Sequence, residues 1–230
     1  MLHKNINYSF HLDINNWKVQ QLGLLLITDL SFIFLHLLFA HTRFISDYAF
    51  SLEAEMGYSE FFQYVKEYWI ALLLIFLAIR NRSFLYLSWS FLFFYLLLDD
   101  SLQIHEKLGL YISNQFNFIP LFNLRSEDFG EIIVSGLACL IFGSMILLGY
   151  RFGNRLSRNV SKSLIKLLLL LAFCGVGVDM VHTIFNNSLM ETLLIVVEDG
   201  GELIVMSLIA YFVFSVSDYS PSKNHKLLRI

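Results

Sequence analysis

The sequence predicts an all-α fold, a polytopic membrane bundle of about six transmembrane helices. Of the 230 residues, 57% are hydrophobic and only 15% are charged, whereas ordinary soluble domains carry about 25% charged residues. The mean hydropathy is +0.62, and only 2 Pro and 12 Gly interrupt the chain. The formal net charge of −3 provides no global basic field, so nucleic acid is not an expected partner. The apolar composition instead makes the lipid bilayer the expected partner.

Each predicted span is an apolar run long enough to cross the hydrocarbon core, which takes about 20 helical residues. Runs of this length favour helices over a lipid-exposed barrel, whose strands would be short and alternating. The spans are predicted at 20–40, 63–79, 83–104, 129–150, 163–186 and 191–216. They form one transmembrane domain, 20–216, between a cytoplasmic N-terminal segment, 1–19, and a cytoplasmic tail, 217–230.

The orientation follows from the basic residues. Of the 16 Lys and Arg, four fall at one set of helix ends, namely Arg43, Lys66, Lys107 and Arg125. The remaining 12 (16 minus these four) fall at the opposite ends. Because cytoplasmic loops carry the excess of Lys and Arg, both termini are predicted to be cytoplasmic.

Two connecting segments are predicted to lie in the outer interface. Residues 108–124 carry no charge and are rich in aromatic side chains. Residues 44–62 interleave acidic and apolar residues, which favours an interfacial helix.

Acidic residues inside the predicted spans are the main candidates for function, because ionisable groups are costly in a bilayer and usually face the bundle interior. Counting along the helices at about 1.5 Å per residue places these acids in one layer of the outer half. No Lys or Arg is expected in that layer, so we expect that the acids are protonated or that a cation or a water-filled cavity accommodates them. The predicted cation or proton site comprises Asp99, Asp179, Glu198, Asp199 and Glu202.

Helical spacing suggests further ligands. Asp179 and His182, three apart, share a helix face, and Asp99 and Glu106, seven apart, are nearly eclipsed on another. Metal sites in helical bundles are built from such carboxylate and His pairs on facing helices. A di-iron bundle has two carboxylate-x-x-His pairs, whereas this sequence has one clear pair, Asp179 with His182. The candidate metal ligands are His182, His105, Glu106, Glu131 and His36. This donor set suits Fe, Mn or Zn, and an oxygen-only subset suits Ca; a hydrogen-bonded core role for His36 stays open.

Gly200 and Gly201 lie between Asp199 and Glu202. Adjacent glycines weaken a helix by about 1 kcal/mol each relative to Ala. Two interpretations follow: a helix break whose carbonyls line a cavity, or close packing of a continuous helix.

The run Leu98-Asp99-Asp100-x4-His105-Glu106, with the later Glu198-Asp199-Gly200-Gly201-Glu202, resembles a pattern in uncharacterised bacterial multi-pass membrane proteins. Those carry an L-D-[DE]-x4-H-E run in one helix and an E-E-G-x-E-type run in the last; here the second acid is Asp199 and the glycine is doubled. The resemblance covers about 20 residues. It implies a bacterial inner-membrane location and no particular activity.

Three functions compete on this basis. The leading hypothesis is a small channel or transporter with the carboxylate and His site open to the outside. The second is a metal-dependent membrane enzyme that acts on a lipid or quinone, with 108–124 as a lid. The third is a sensor or scaffold subunit of a larger membrane complex, in which the acids only specify helix packing. The sequence leaves open a homo-oligomer and the identity of any ion.

Overall fold

The computed structural model describes residues 17–116, 126–177 and 188–218. Over these ranges the chain forms seven α-helices and no strand, which confirms the all-α prediction for this part of the protein. The helices are α1 (Trp17–His41), α2 (Tyr58–Asn81), α3 (Phe84–Leu102), α4 (Ile104–Phe116), α5 (Ser126–Phe152), α6 (Arg155–Ala172) and α7 (Ser188–Asp218). A 3₁₀ turn, Tyr48–Phe50, precedes α2, and a π-helical turn, Phe173–Gly177, follows α6.

Four of these helices, α1, α2, α3 and α5, are long and apolar enough to cross a membrane. Their positions match the first four predicted spans, and this composition is compatible with an integral membrane protein. The predicted fifth span, 163–186, begins within α6 and continues through the π turn into residues outside the described ranges. The predicted sixth span, 191–216, lies in α7. The six-span count and the cytoplasmic termini stay predictions.

Two short reversals connect the helices on either side of α3. Arg82 takes a left-handed conformation (φ 46°) at the end of α2, and its N–H donates to the carbonyls of Ala78 and Ile79. Gln103 takes the same conformation (φ 53°) at the end of α3, where its N–H donates to the carbonyl of Asp99. α4 begins at once at Ile104, so the chain turns between Asp99 and Glu106. The predicted eclipsing of those two acids on one continuous helix is therefore wrong.

The α4–α5 pair is held together by two glycines. A Cβ atom on Gly130 would overlap the carbonyl of Gly109, and a Cβ atom on Gly109 would lie 2.7 Å from the Glu131 N atom. Only glycine allows the two backbones to approach this closely. The first part of the predicted interfacial segment 108–124 is therefore packed against α5 as a helix, while residues 117–124 lie outside the described ranges.

The predicted interfacial helix within 44–62 is wrong, because residues 44–57 form only the 3₁₀ turn and bends before α2 begins. Asp47 Oδ1 starts the 3₁₀ turn by accepting from the Ala49 N–H at 3.0 Å. Leu52 and Ala54 are both buried. Burial of these apolar side chains draws the segment back over the end of the bundle, where it covers α1 and α7.

The centre of the bundle is α7, which packs against α1, α2, α6 and the π turn. Its buried side chains belong to the same hydrophobic cluster as those of α2 and α3. Among the most buried members of this core are Ile70, Leu74, Phe93, Met206 and Ile209, each fully removed from solvent. α5 lies at the periphery, since Leu140 and Leu147 on it are about 70% exposed (71% and 70%), as expected for a helix that faces lipid.

Candidate functional site

A cavity of about 870 Å³ opens at the end of the bundle where α1 and α3 end and α2 and α5 begin. Its walls come from the 52–55 segment and from α2, α3, α4, α5 and α7. Ten carboxylates line it: Glu53, Glu55, Glu60, Asp100, Glu106, Glu127, Glu131, Glu198, Asp199 and Glu202. His105 and Lys107 are the basic residues among the described lining residues. The cavity is therefore strongly acidic.

α7 carries three of these acids on an unbroken helix. Glu198, Asp199 and Glu202 line the cavity, and the helix continues through Gly200 and Gly201. The predicted helix break is therefore absent. A Cβ atom on Gly200 would lie 3.1 Å from Ile33 Cδ1, and one on Gly201 would lie 3.0 Å from Cys174 Sγ. The glycines thus allow α1 and the π turn to pack closely on α7.

Glu202 lies at the inner end of the acidic stretch of α7. Its carboxyl group accepts a hydrogen bond from the Gln63 side chain and lies close to Asp199, Asp100 and Glu198. A Cβ atom on Gly175 would overlap the Glu202 carboxylate. The small residue in the π turn therefore makes room for this carboxyl group between α2 and α7.

Asp99 and Asp100 have different roles although they are neighbours. Asp99 does not line the cavity; its Oδ1 accepts from the His105 N–H at 2.9 Å and so caps the start of α4. Asp100 lines the cavity instead, and its carbonyl accepts from the Tyr64 hydroxyl at 3.2 Å. The sequence alone predicts Asp99 in the site and does not point to Asp100, because the turn at Gln103 is not visible in the hydrophobic pattern.

His105 is held by the same aspartate. Its Nδ1 lies 3.2 Å from Asp99 Oδ2, and its Nε2 lies 3.9 Å from Glu106 Oε1. The contact with Asp99, together with the charges of Glu106 and Glu131, outweighs burial and raises the pKa of His105 to about 9. Burial raises the pKa of Glu106, and the Glu55 carboxylate adds to this shift. His105 is therefore a cation at neutral pH and a poor metal ligand in this state.

Near Asp100 lies a buried acid, Glu67, to which no feature of the hydrophobic pattern points. Glu67 on α2 is only 1% exposed, and no N–H or O–H donor of the described residues reaches its carboxyl oxygens. Its carboxyl group lies close to those of Asp100 and Glu202. Carboxyl groups this close in a buried site repel one another when both are ionised, so a proton or a cation between them is favoured.

Lys66, next to Glu67, forms a buried ion pair with Asp29 on α1. Its Nζ lies 3.0 Å from Asp29 Oδ1, and both side chains are fully buried. The ammonium group also donates to the Leu203 carbonyl at 2.7 Å and to Ser207 Oγ at 3.2 Å. The Ser207 hydroxyl in turn donates to Asp29 Oδ2 at 2.5 Å.

This ion pair corrects two sequence-based predictions. The sequence predicts Lys66 at a helix end, but α2 begins at Tyr58, so Lys66 lies about 12 Å along the helix at the usual rise. Its contact with Leu203, the residue after Glu202, places a cation in the layer that was predicted to contain none. The error arose because Lys66 falls near the edge of the apolar run on α2.

The remaining candidate residues are placed as follows. Glu131 lines the cavity with Glu106. His36 lies outside it: its Nδ1 accepts from the Leu52 N–H at 3.2 Å and lies 3.4 Å from Ser51 Oγ, which fastens the 52–55 segment to α1. Asp179 and His182 lie outside the described residues. Within the described ranges, no three His, Cys, Asp or Glu side chains come together as a metal site.

Over the residues that the structure describes, the fold and the site define an all-α protein with four helices able to cross a membrane and an acid-lined cavity at one end of the bundle. The chain belongs to the family described as a domain of unknown function (DUF8692), whose family model matches residues 22–216. This match covers the bundle from α1 to α7 and agrees with the resemblance to an uncharacterised family. No curated protein and no solved structure matches the chain.

Proposed function

We propose that the protein is an integral protein of the bacterial inner membrane that binds a cation in the acidic cavity and acts as a small channel or transporter. The cation is a metal ion or a proton. The observation that carries the proposal is the cavity of about 870 Å³, whose described lining includes ten carboxylates and only two basic residues, His105 and Lys107. The basic residues at the opposite ends of the helices support an outward-facing cavity under the positive-inside rule.

The charge of the cavity favours a cationic ligand. A cleft lined by one sign of charge with low-dielectric walls focuses the field and concentrates the opposite ion. Carboxylate oxygens, with the side chains of Ser59 and Gln63 that also line the cavity, are the donors that hard cations such as Ca²⁺, Mg²⁺ or Mn²⁺ prefer. The same carboxylates accept protons.

Polar groups continue from the cavity into the bundle, which supports movement of the cation rather than binding alone. Glu67 lies close to Asp100, and Lys66 beside it joins Asp29 and Ser207 on two other helices. Intramembrane ionisable residues arranged in this way are typical of ion and proton pathways.

The polar groups end at an apolar layer. Leu74, Phe93, Met206 and Ile209 are fully buried in one contiguous core. A hydrated ion cannot cross such a layer without a change in helix packing. This arrangement favours a transporter that changes conformation and disfavours a permanently open pore.

The test is flux through liposomes that contain the purified full-length protein. We expect movement of protons, or of a divalent or monovalent cation, down an imposed gradient at a rate above that of protein-free vesicles. The double variant Glu198→Gln, Glu202→Gln removes two lining charges and is expected to reduce the flux at least about tenfold. Asp128→Asn is the matched control, because Asp128 lies next to the lining residue Glu127 on α5 but does not line the cavity.

Absence of flux for every cation and for protons, in vesicles with verified protein incorporation, would overturn the proposal. Equal loss of flux in the control and in the double variant would show that the cavity carboxylates are not specifically required. Separate readouts distinguish the two cations. Movement of protons changes the internal pH of the vesicles, whereas movement of a metal ion changes their internal metal content.

A further inference from the structure

We propose that a second cavity, at the opposite end of the bundle, binds one anionic phospholipid. This cavity has a volume of about 220 Å³ and lies where α2, α3, α6 and α7 meet. It lies at the ends of the helices that carry most of the Lys and Arg residues. The proposal does not depend on the acidic cavity or on its transport activity.

The inner wall of this cavity is apolar. Leu77 and Val160 line it and are buried, whereas Leu156 lines it from a position that is 46% exposed. Val216 on α7 adds a further apolar side chain. A cleft with an exposed apolar edge and a buried apolar wall suits an acyl chain that enters from the surrounding lipid.

Two buried hydroxyl groups lie in the same cavity without a partner. Tyr86 is only 1% exposed, and its hydroxyl has no hydrogen-bond partner among the described residues; the same holds for Ser215 Oγ. Both residues line the cavity. An unpaired buried hydroxyl costs about 1–3 kcal/mol, so a ligand that supplies ester or phosphate oxygens would be stabilised here. This observation points to a ligand that is polar at one end and apolar at the other.

Arg80 gives the cavity its charge. Its side chain lines the cavity at the exposed edge, and its Nη1 donates to the Ser217 carbonyl at 2.8 Å, which fixes the guanidinium beside α7. None of the eight described lining residues is acidic. Asp218, at the end of α7, forms an ion pair with Lys18 at 3.2 Å. The charge at the edge is therefore complementary to a phosphate group.

The apolar wall favours a phospholipid over a free phosphate ion. A phosphate ion would contact Arg80 and the hydroxyl groups but would leave the volume between Leu77 and Val160 empty. Basic pockets between membrane helices are known sites for anionic lipid headgroups. We therefore assign the phosphate of the lipid to Arg80 and one acyl chain to the apolar wall.

The test uses the purified full-length protein in detergent, with native mass spectrometry to count bound lipids. The probes are phosphatidylglycerol and phosphatidylcholine with the same palmitoyl and oleoyl chains. We expect one phosphatidylglycerol to bind with about fivefold preference over phosphatidylcholine, the effect of one basic residue near an anionic lipid. Equal binding of the two lipids would overturn the proposal.

Three variants assign the binding to this cavity. Arg80→Gln is expected to abolish the preference, and Arg80→Lys to retain it, because charge rather than shape selects the lipid. Leu156→Trp fills the exposed edge and should weaken the binding of both lipids, and it is tolerated by the fold because Leu156 is exposed. The matched control is Arg151→Gln, a basic residue on α5 that does not line the cavity.

Two results would contradict the assignment. A preference that survives Arg80→Gln would place the anionic lipid elsewhere on the protein. Complete displacement of phosphatidylglycerol by inorganic phosphate in excess would show that the cavity binds phosphate alone and that the acyl chain contributes nothing.

Discussion

Substitution of Lys66 by Met should be one of the most damaging single changes in this protein. The Lys66 ammonium group is fully buried and donates to Asp29, Leu203 and Ser207 at distances from 2.7 to 3.2 Å. A hydrogen bond to a charged group contributes about 1.5–3 kcal/mol, and part of the sum is offset by the cost of burying the charge. Removal of one partner of a buried pair leaves the other uncompensated, so we expect the free energy of unfolding to fall by about 3–5 kcal/mol.

The reasoning is tested by a double-mutant cycle in detergent micelles, with unfolding by a denaturing detergent followed by tryptophan fluorescence. Asp29→Leu alone should cost about as much as Lys66→Met. The double variant should be more stable than either single variant, because a buried pair replaced by apolar side chains is often neutral or stabilising. Lys162→Met, an exposed lysine on α6, should change stability by less than about 0.5 kcal/mol.

If either single variant does not fold, Ser207→Ala provides a milder test. It removes the hydroxyl that donates to Asp29 Oδ2 at 2.5 Å and should cost about 1–3 kcal/mol. The reasoning is refuted if the losses of the two single variants simply add in the double variant, since additivity would mean that Lys66 and Asp29 do not interact energetically.

Two further predictions concern the end of the bundle that carries the acidic cavity. Because the folded-state pKa of His105 is raised to about 9 from 6.5, its contribution to stability is fully present below pH 6.5 and is lost as the pH rises through about 9. The unfolding midpoint should therefore fall over this range in the wild type and much less in Asp99→Asn; an equal fall in both would contradict the role of the pair. Gly130→Ala should force α4 away from α5, because the new Cβ atom would overlap the Gly109 carbonyl, at a cost of about 1–3 kcal/mol measured in the same unfolding assay. Gly136→Ala, on the same helix with no atom within 4 Å, should instead be neutral or stabilising by up to about 1 kcal/mol.

The hydrophobic pattern was sufficient to predict the helices, because a run of about 20 apolar residues can satisfy its backbone in lipid only as a helix. Three of the first four predicted spans lie inside a described helix, as 63–79 lies inside Tyr58–Asn81. The other, 83–104, differs from Phe84–Leu102 by one residue at its start and two at its end. Depth counting also placed Glu198, Asp199 and Glu202 in one layer, and these three residues line one cavity together with His105 and Glu106.

The direction of each side chain could not be predicted in the same way. The left-handed residue Gln103 ends α3 within the predicted span 83–104. The resulting turn gives Asp99 a capping role, while Asp100 lines the cavity. Glycine is the residue that usually predicts a left-handed helix end. Position 103 is a glutamine, so the sequence does not predict this turn. Gly200 and Gly201 present the reverse case, because tertiary packing against Ile33 and Cys174 retains a helix that the sequence alone would allow to break.

The sequence by itself determined the apolar helices, their order and the concentration of acids near one end, because these depend only on composition and spacing along the chain. The tertiary structure decided which charges neutralise one another. Asp29 and Lys66 are 37 positions apart, and they form an ion pair only because α1, α2 and α7 pack together. Contacts between helices are set by close approach and side-chain direction, and neither property is contained in the hydrophobic period of a single helix.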